Sequence, residues 1–459
     1  MRVLLEGLPH FLWGRPWSRV IPGRLRYRLE RLAATRFYRR LPPPHLRIRA
    51  GSGAARLVIT GDLSLHRWTA AESPARVFQA VRRVFAAADL SVVNLESVLT
   101  SCHEPSGRIG AFLKAAPGAI ECLSFLGVGA ATSANNHALD FGAAGLAECG
   151  GILRRAGIEW FGIEEDGAGD SIPGAFTREV NGVVIGFLAA TDHFGGVPSQ
   201  ARPTPVWVEP SQLRRHLRIL RALCHVVVVQ LHWGYEYVMY PLRWHRDLAR
   251  QLVDEGADLV CCHHAHVVMG VEQWGRGVIA HGLGNFYFGP RRPDHPRHPL
   301  GRFGILLDAS VDRAGLVSCD VISVRTDEAG VVQRETEACP GFHRICARLT
   351  EDAFLERHED AQIGAALAQM TLDLRSRIAS ADVAGLLERR VFFSAPRQRW
   401  LLDRAQQSDS PARRRIGGWL REFRSLPAEA VQQLAIPRMP HIGSLPRWLD
   451  TRFQPGRWP

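Results

Sequence analysis

Five apolar, strand-like runs in this chain each end in a short polar cluster, and that repeated arrangement restricts the folds open to it more than any other feature. VIT runs into Gly61 and Asp62, VVN into Asn94, Leu95 and Glu96, and TSA into Asn135, Asn136 and His137. VVQL runs into His232-Trp-Gly-Tyr-Glu236, and VCC into His263, His264, Ala265 and His266. Strand-like runs alternate with helical stretches from Arg56 to about Arg325, which is an α/β pattern with buried strands. Side chains at the carboxyl ends of neighbouring strands meet at one edge of such a sheet, where α/β folds place their sites. Asp62, Glu96, Asn136, His232, His264 and His266 offer carboxylate, amide and imidazole donors that suit a hard or borderline divalent cation. A mixed set of this size is enough for two ions sharing a bridging carboxylate.

Each cluster alone has a bland reading. Gly-Asp after a strand is most often a turn, and Asn-Asn-His is most often an Asx turn or a helix cap. His264-x-His266 is stronger, because two imidazoles on the same side of an extended segment reach one ion or two. On that extended geometry His263 faces the other way and is a structural residue. The order of all five clusters, each closing an apolar run, is what makes coincidence a poor explanation.

Charge sorts the possible partners. Of the formal net charge of +12, residues 1–50 carry +10, from twelve Arg against Glu6 and Glu30. The rest of the chain is therefore close to neutral, which argues against a basic groove and so against a nucleic-acid partner. Within the arm, residues 22–40 place Leu25, Leu29, Leu32 and Phe37 on one helical face among arginines. This helix packs on the main domain, rests peripherally on an anionic membrane or, as a third reading, serves as a nucleic-acid arm, and the readings stay open. Nine cysteines without a CxxC pair do not form a disulfide framework and fit a reducing compartment. No apolar run approaches the roughly 18 residues that span a bilayer, so neither a signal peptide nor a membrane anchor is read, and the expected location is cytoplasmic or at the inner membrane face. Three regions follow: a basic arm over 1–50, an α/β domain over 55–330 and a mostly helical extension over 331–459.

The blocks GDLSLHR (61–67), VVNLES (92–97), SANNHALDFG (133–142), LHWGYEY (231–237), GADLVCCHHAHVVMGVE (256–272) and GLGNFYF (282–288) resemble the successive motifs of CapA-type capsule and poly-γ-glutamate synthesis proteins. These are a branch of the calcineurin-like metallophosphoesterase superfamily. The resemblance covers about 55–310 and implies a four-layer α/β/β/α sandwich holding one or two divalent ions, drawn from Mn, Fe, Zn, Mg or Ca. It implies that Asp62 ligates the first ion, that Glu96 bridges both, that Asn136, His232 and His264 complete the second, and that His266 returns to the first. It also implies that His137, oriented by Asp140, protonates a leaving group or steadies a phosphoryl oxygen. A cation pair about 3.5–4 Å apart activates water at neutral pH and spreads the charge of an in-line transition state.

Departures and supporting residues matter equally. The wider superfamily begins with DxH, whereas this chain has Asp62-Leu63-Ser64, so the first ion lacks its usual histidine; His66 lies two residues too far on to replace it simply. Ala265 stands where these proteins usually carry Pro. Asn94, Arg67, Asn135, Glu236, Asn285 and Asp192 are the candidates for substrate contact or ligand support, with Asn285 stabilising a turn and Asp192 and His193 lining the pocket. The leading expectation is a metal-dependent, phosphoesterase-like enzyme of capsule, poly-γ-glutamate or exopolysaccharide production, acting on an anionic polymer, phosphoester or peptide. The alternatives are a metal-dependent peptide epimerase of the same fold and a non-catalytic subunit of a membrane-bound synthase.

Overall fold

Strands that are apolar on both sides need cover on both faces, and this requirement sets the layering of the chain. The computed structural model describes residues 41–69, 71–106, 111–166, 171–192, 202–289, 299–359 and 414. Its first half runs β1 (His45–Arg47), β2 (Ala55–Leu63), α1 (Pro74–Ala86), β3 (Leu90–Leu95), α2 (Ile120–Leu126), β4 (Ala130–Thr132), α3 (Gly142–Arg155), β5 (Glu159–Phe161), β6 (Ala175–Val180) and β7 (Val183–Thr191). The second half runs α4 (Pro210–Leu223), β8 (Val226–His232), α5 (Arg243–Asp254), β9 (Leu259–His263), β10 (Val268–Trp274) and β11 (Gly277–Leu283). It closes with β12 (Asn285–Tyr287), β13 (Phe303–Asp312), β14 (Gly315–Thr326), β15 (Val332–Arg334) and α6 (Phe342–Arg348).

Two sheets result. One has nine strands in the order β1-β14-β13-β2-β3-β4-β5, with β12 beside β2 and β15 beside β14. The other has six in the order β10-β11-β9-β8-β7-β6. Both have a parallel centre: β2, β3, β4 and β5 run together in the first, and β7, β8, β9 and β11 in the second.

Alternate residues of a strand face opposite layers, and β2 shows the division. Val58 joins Val93, Ala131 and Leu306 under α1, α2 and α3, where Phe78, Leu123 and Leu153 pack. Leu57 and Ile59 face the second sheet and meet Ile185, Phe187, Val228, Cys261 and Ala280. That sheet's outer face, through Leu188, Val227, Val229 and Val260, is covered by α4 and α5. The four-layer α/β/β/α order expected from the motifs is therefore the one observed.

Helix starts follow local chemistry. Pro210 occupies the first turn of α4, where its missing N–H costs nothing, and Glu209 caps the helix by accepting from the Gln212 amide. Leu213, Leu217 and Leu220 then recur at helical spacing and are buried. All nine cysteines are free.

The edges of the body differ from those expected. β1 lies inside the stretch assigned to the basic arm, yet it pairs with β14, His45 opposite Asp320. At the other end the compact unit continues to Glu359, so the boundary expected near Gly330 falls within it. The physical reason is burial: Val332 joins the core under the first sheet's helices, and Cys339 and Phe342 join the core between the sheets. Arg246 on α5, only 4% exposed, ties this segment down by donating to the Leu349 carbonyl at 3.1 Å and pairing with Asp352 at 2.7 Å. The Tyr240 ring packs edge-on against Phe354 and His358. The amphipathic stretch at 22–40 and all but the first turns of the helical region read from Asp352 lie outside the described residues. No helix among the described residues is long and apolar enough to cross a membrane.

Phe342→Ala should lower the unfolding free energy by about 3–5 kcal/mol, the usual cost of emptying a buried phenylalanine site. An unchanged denaturation midpoint would show that the segment after β15 is an appendage and not part of the body.

Candidate metal centre

Parallel register brings the polar strand ends to one edge. Asp62 stands opposite Asn94 across β2 and β3, and His232 stands between Thr191 and His263 across β7, β8 and β9. The chain itself crosses between the sheets here, because β11 belongs to the second sheet while β12 pairs with β2 of the first, Asn285 opposite Asp62. The crossing point is Gly284, whose φ of 67° suits glycine and whose carbonyl accepts from the Asp62 amide at 2.9 Å. Gly61 packs so tightly against that carbonyl that a Cβ there would collide with it.

Glu96 lies at the middle of the converging ends. It is fully buried, and neither carboxylate oxygen has a hydrogen-bond partner among the described residues. Its Oε1 is 3.6 Å from His266 Nε2, 3.8 Å from His232 Nε2 and 3.9 Å from His137 Nε2. These separations are too long for hydrogen bonds. They suit ligands that share a cation, since donors about 2.0–2.1 Å from one ion lie about 3–4 Å from each other. Two triads of possible ligand atoms, each spanning no more than 4.8 Å, share this residue: Glu96 with His232 and His264, and Asp62 with Glu96 and His266. Asn136 adds its Oδ1, 2.8 Å from His232 Nε2, and His264 Nδ1 lies 3.1 Å from the same atom. An orphaned buried carboxylate ringed by imidazoles is a donor set that fits divalent cations.

The electrostatics point the same way. Burial pushes the Glu96 carboxyl well above the usual range, an effect the nearby His266 only partly opposes. Burial, reinforced by His264, holds the His232 imidazole well below its ordinary value and so keeps it neutral, as a ligand must be. At Asp62 burial favours the neutral form, but hydrogen bonds with His263 and His266 outweigh it and hold the carboxyl well below the usual range. His266 is raised well above its ordinary value, because Glu96 and Asp62 overcome the effect of burial.

Supporting residues are placed as follows. His137 Nδ1 is 2.8 Å from Asp140 Oδ2, which also accepts from the Leu113 amide at 2.6 Å, so the ring is held with Nε2 toward Glu96. Asn94 donates to Asp62 Oδ1 at 2.8 Å and lies 3.1 Å from His232 Nδ1. Asn135 bonds Leu95 O and Asn94, and its Oδ1 accepts from the His137 amide. Asn285 does more than stabilise a turn: its Oδ1 is 2.9 Å from His266 Nδ1 while its amide donates to Gly301 O at 2.7 Å. Asp192 sits behind the ligands, where it accepts from the Gly234 amide at 3.3 Å and its own amide donates to the His232 carbonyl. His193 lies outside the described residues. Arg67 is half-buried with its stem along Gly289, and Glu236 is exposed; neither belongs to a triad. His66 bonds Ser64 Oγ at 2.8 Å and meets Phe288 edge-on, and it belongs to neither triad.

One expectation is corrected. His264 and His266 do not project from an extended segment: β9 ends at His263, and the two residues have φ of 83° and 56°. Turning into the left-handed region, not strand alternation, aims both rings inward, a strained arrangement of the kind kept at functional sites. His263 is more than a structural residue, because its Nδ1 is 3.0 Å from Asp62 Oδ1 and its Nε2 is 3.2 Å from Gln230 Oε1. Tyr237, at φ 60°, is a further residue that sequence reasoning misses; its amide donates to Ala265 O at 2.7 Å and its ring lies 5.8 Å from that of His266. The run of three histidines in HHAH was the available signal for His263, but nothing in the sequence marks Tyr237 above its neighbours.

The family described as bacterial capsule synthesis protein PGA_cap matches residues 56–290. The PGA biosynthesis protein CapA of Bacillus subtilis (strain 168) is 30% identical over 241 residues, 50% of this chain and 62% of that protein. The capsule biosynthesis protein CapA of Bacillus anthracis is 31% identical over 161 residues, 34% of this chain and 39% of that protein. The chain thus spans less than two thirds of the length of either relative. Among solved structures, a hypothetical protein from Thermus thermophilus overlaps with a TM-score of 0.38 at 16% identity, covering 61% of this chain and 99% of that one.

Two outcomes are expected. Glu96 and His266 hold protons to higher pH than usual in the ion-free protein, and both must release them to bind an ion. Metal affinity should therefore fall as pH drops through the range where these groups protonate, with calorimetry in two buffers of different ionisation enthalpy reading the protons set free; pH-independent affinity without proton release would contradict this. Gly61→Ala should cost about 1–3 kcal/mol of stability and reduce ion content, since the collision is with backbone. Unchanged ion content in that variant would mean that the Gly61–Gly284 approach does not position Asp62.

Proposed function

The chain belongs to the bacterial capsule synthesis protein family, and on that premise we propose that it is a metal-dependent hydrolase acting in the production of a poly-γ-glutamate or related capsule polymer. The observation that carries the catalytic part is Glu96, a buried carboxylate without a hydrogen-bond partner among three imidazoles. In this reading Asp62, Glu96 and His266 hold one ion, and Glu96, Asn136, His232 and His264 hold the other. Bound divalent ions supply Lewis acidity toward a phosphoester or acyl-phosphate-like bond.

The chain's own residues do the rest. His137 presents Nε2 toward the ligand cluster, and Asp140 accepts at Nδ1, which fixes the ring and its orientation. A leaving-group oxygen placed beside Nε2 takes a proton from the charged ring as its bond breaks, and the Asp140 carboxylate stabilises that imidazolium until the proton is passed on. Asn135 keeps His137 in register with β3 by accepting from its amide while donating to Leu95 O. Asn285 holds the His266 ring, and Asn94 and His263 hold Asp62, so the donors cannot collapse onto one another. The name of the Bacillus subtilis relative, a PGA biosynthesis protein, supports poly-γ-glutamate as the polymer this activity serves.

Elemental analysis of the purified protein should find two divalent ions, falling to about one or none in His264→Ala. His137→Ala should keep its ions and lose about 10²–10⁴-fold in turnover of phosphoester or acyl phosphate substrates. Full ion content in His264→Ala would refute the ligand assignment. Turnover untouched in His137→Ala would remove the histidine from the chemistry.

A further inference from the structure

The sheet edge opposite the metal centre has its own chemistry. The parallel strands β7, β8, β9 and β11 begin there, at Val183, Val226, Leu259 and Gly277, and α4 ends there at Leu223. The hairpin between β13 and β14 reaches the same edge. Its Leu316 amide donates at 3.3 Å to Oδ1 of Asp258, just before β9, and its Arg313 Nε donates at 3.0 Å to the carbonyl of Gly182, just before β7.

Three large apolar side chains are exposed among the described residues, and two of them lie one turn apart at this end of α4: Ile219, 39% exposed, and Leu223, 65% exposed. The helix packs on its sheet through Leu213, Leu217 and Leu220, so the core does not account for the other two. The charges beside them are one-sided. Glu255 is engaged by Arg214 and Arg218, Asp258 by Arg221 at 2.8 Å, Asp312 by Arg49, and Asp254 by the Trp274 indole N–H at 2.9 Å. Arg215, one turn before Ile219, and Arg276 and Arg313, at the hairpin tips, are exposed and form no salt bridge among the described residues. Arginines outnumber acids here even with the exposed Glu179 of β6 counted.

A stable protein interface covers roughly 800 Å² a side, whereas the apolar part of this edge is two side chains. Nucleic acid gains nothing from an exposed aliphatic pair. Aliphatic tips among arginines match the boundary of an anionic bilayer, where the tips enter the acyl region and the guanidinium groups meet headgroup phosphates. We propose that the edge formed by Ile219 and Leu223 with Arg215, Arg276 and Arg313 rests on an anionic lipid surface. From this edge β8 runs seven residues to His232, a span of about 20 Å, so the metal centre lies on the side away from the lipid. The contact belongs to the folded body, apart from the basic arm over 1–50, and holds whatever reaction the centre performs.

The test is co-sedimentation of full-length protein with vesicles of phosphatidylcholine alone, or with about one quarter phosphatidylglycerol. The protein should bind the anionic vesicles, less tightly as salt is raised. Arg276→Gln with Arg313→Gln, and separately Ile219→Gln with Leu223→Gln, should each lower the partition constant about tenfold at an unchanged melting temperature. Ile219→Phe with Leu223→Phe should preserve binding. Equal binding by wild type and both glutamine pairs would assign the contact to another part of the chain and overturn the proposal. Failure to bind anionic vesicles, or equal binding to uncharged ones, would overturn it as well. A loss in the arginine pair but not in the aliphatic pair would exclude insertion, and a matching loss of affinity for duplex DNA would mark the edge as a nucleic-acid face; either result sinks the lipid assignment.

Discussion

A carboxylate buried away from water must be neutralised, hydrogen-bonded or paired, and Glu96 has no hydrogen bond among the described residues where both sheets end. The polar groups around it spend the hydrogen bonds seen here on one another, and His266 stands 3.6 Å away, beyond hydrogen-bond reach. Asn94 turns to Asp62, Asn135 to Leu95 O and Asn94, Asn136 to His232, Asn285 to His266 and Gly301, and His137 to Asp140. A ring of polar residues committed to one another around an unsatisfied carboxylate is unfavourable for the chain alone. It becomes favourable when a cation enters, which is why the site is better understood as a holder for ions than as a polar core cluster.

Keeping such a ring open requires backbone that ordinary strands do not supply. His264, His266 and Tyr237 all have positive φ, each at a cost of order 1–3 kcal/mol. The Tyr237 amide bonds the carbonyl of Ala265, between the two histidines, so the strained turns hold each other in place. Gly61 and Gly284 contribute by the opposite means, allowing backbones to approach where any side chain would intrude. Their contact lets the chain leave the second sheet at β11 and join the first at β12 beside Asp62.

The layered fold and the positions of the strand ends were legible because both depend on local pattern. Apolar runs such as VIT, VVN and VVQL announce buried strands, and parallel register does the convergence. What was not legible depends on backbone dihedrals and on contacts across long stretches of sequence. An extended HHAH segment would have sent His263 away from the cluster; the turn into left-handed conformation after β9 instead leaves it bonded to Asp62, 201 positions away. Likewise the change of character after Gly330 suggested a domain boundary, but Phe342 and Cys339 return to the inter-sheet core, and only packing reveals that. Asn285 resembled a turn residue because its partner His266 is a neighbour only once β11 and β12 have crossed between the sheets.

The division of donors between the sheets gives the centre its logic. Asp62, Glu96 and Asn136 lie in or follow strands of the nine-stranded sheet, so that sheet provides the oxygen donors. His232, His264 and His266 end or follow strands of the six-stranded sheet, which provides the imidazoles. Each triad therefore draws on both sheets, and an ion held there would add to the polar contacts, such as Asn94 with His232 and His263 with Asp62, that already link the layers at this end. Because Glu96 belongs to both triads, a shift between the sheets would change both at once. Ile59 and Cys261 belong to the core between the same two sheets, so the packing of that core sets the spacing of the strand ends that carry the donors.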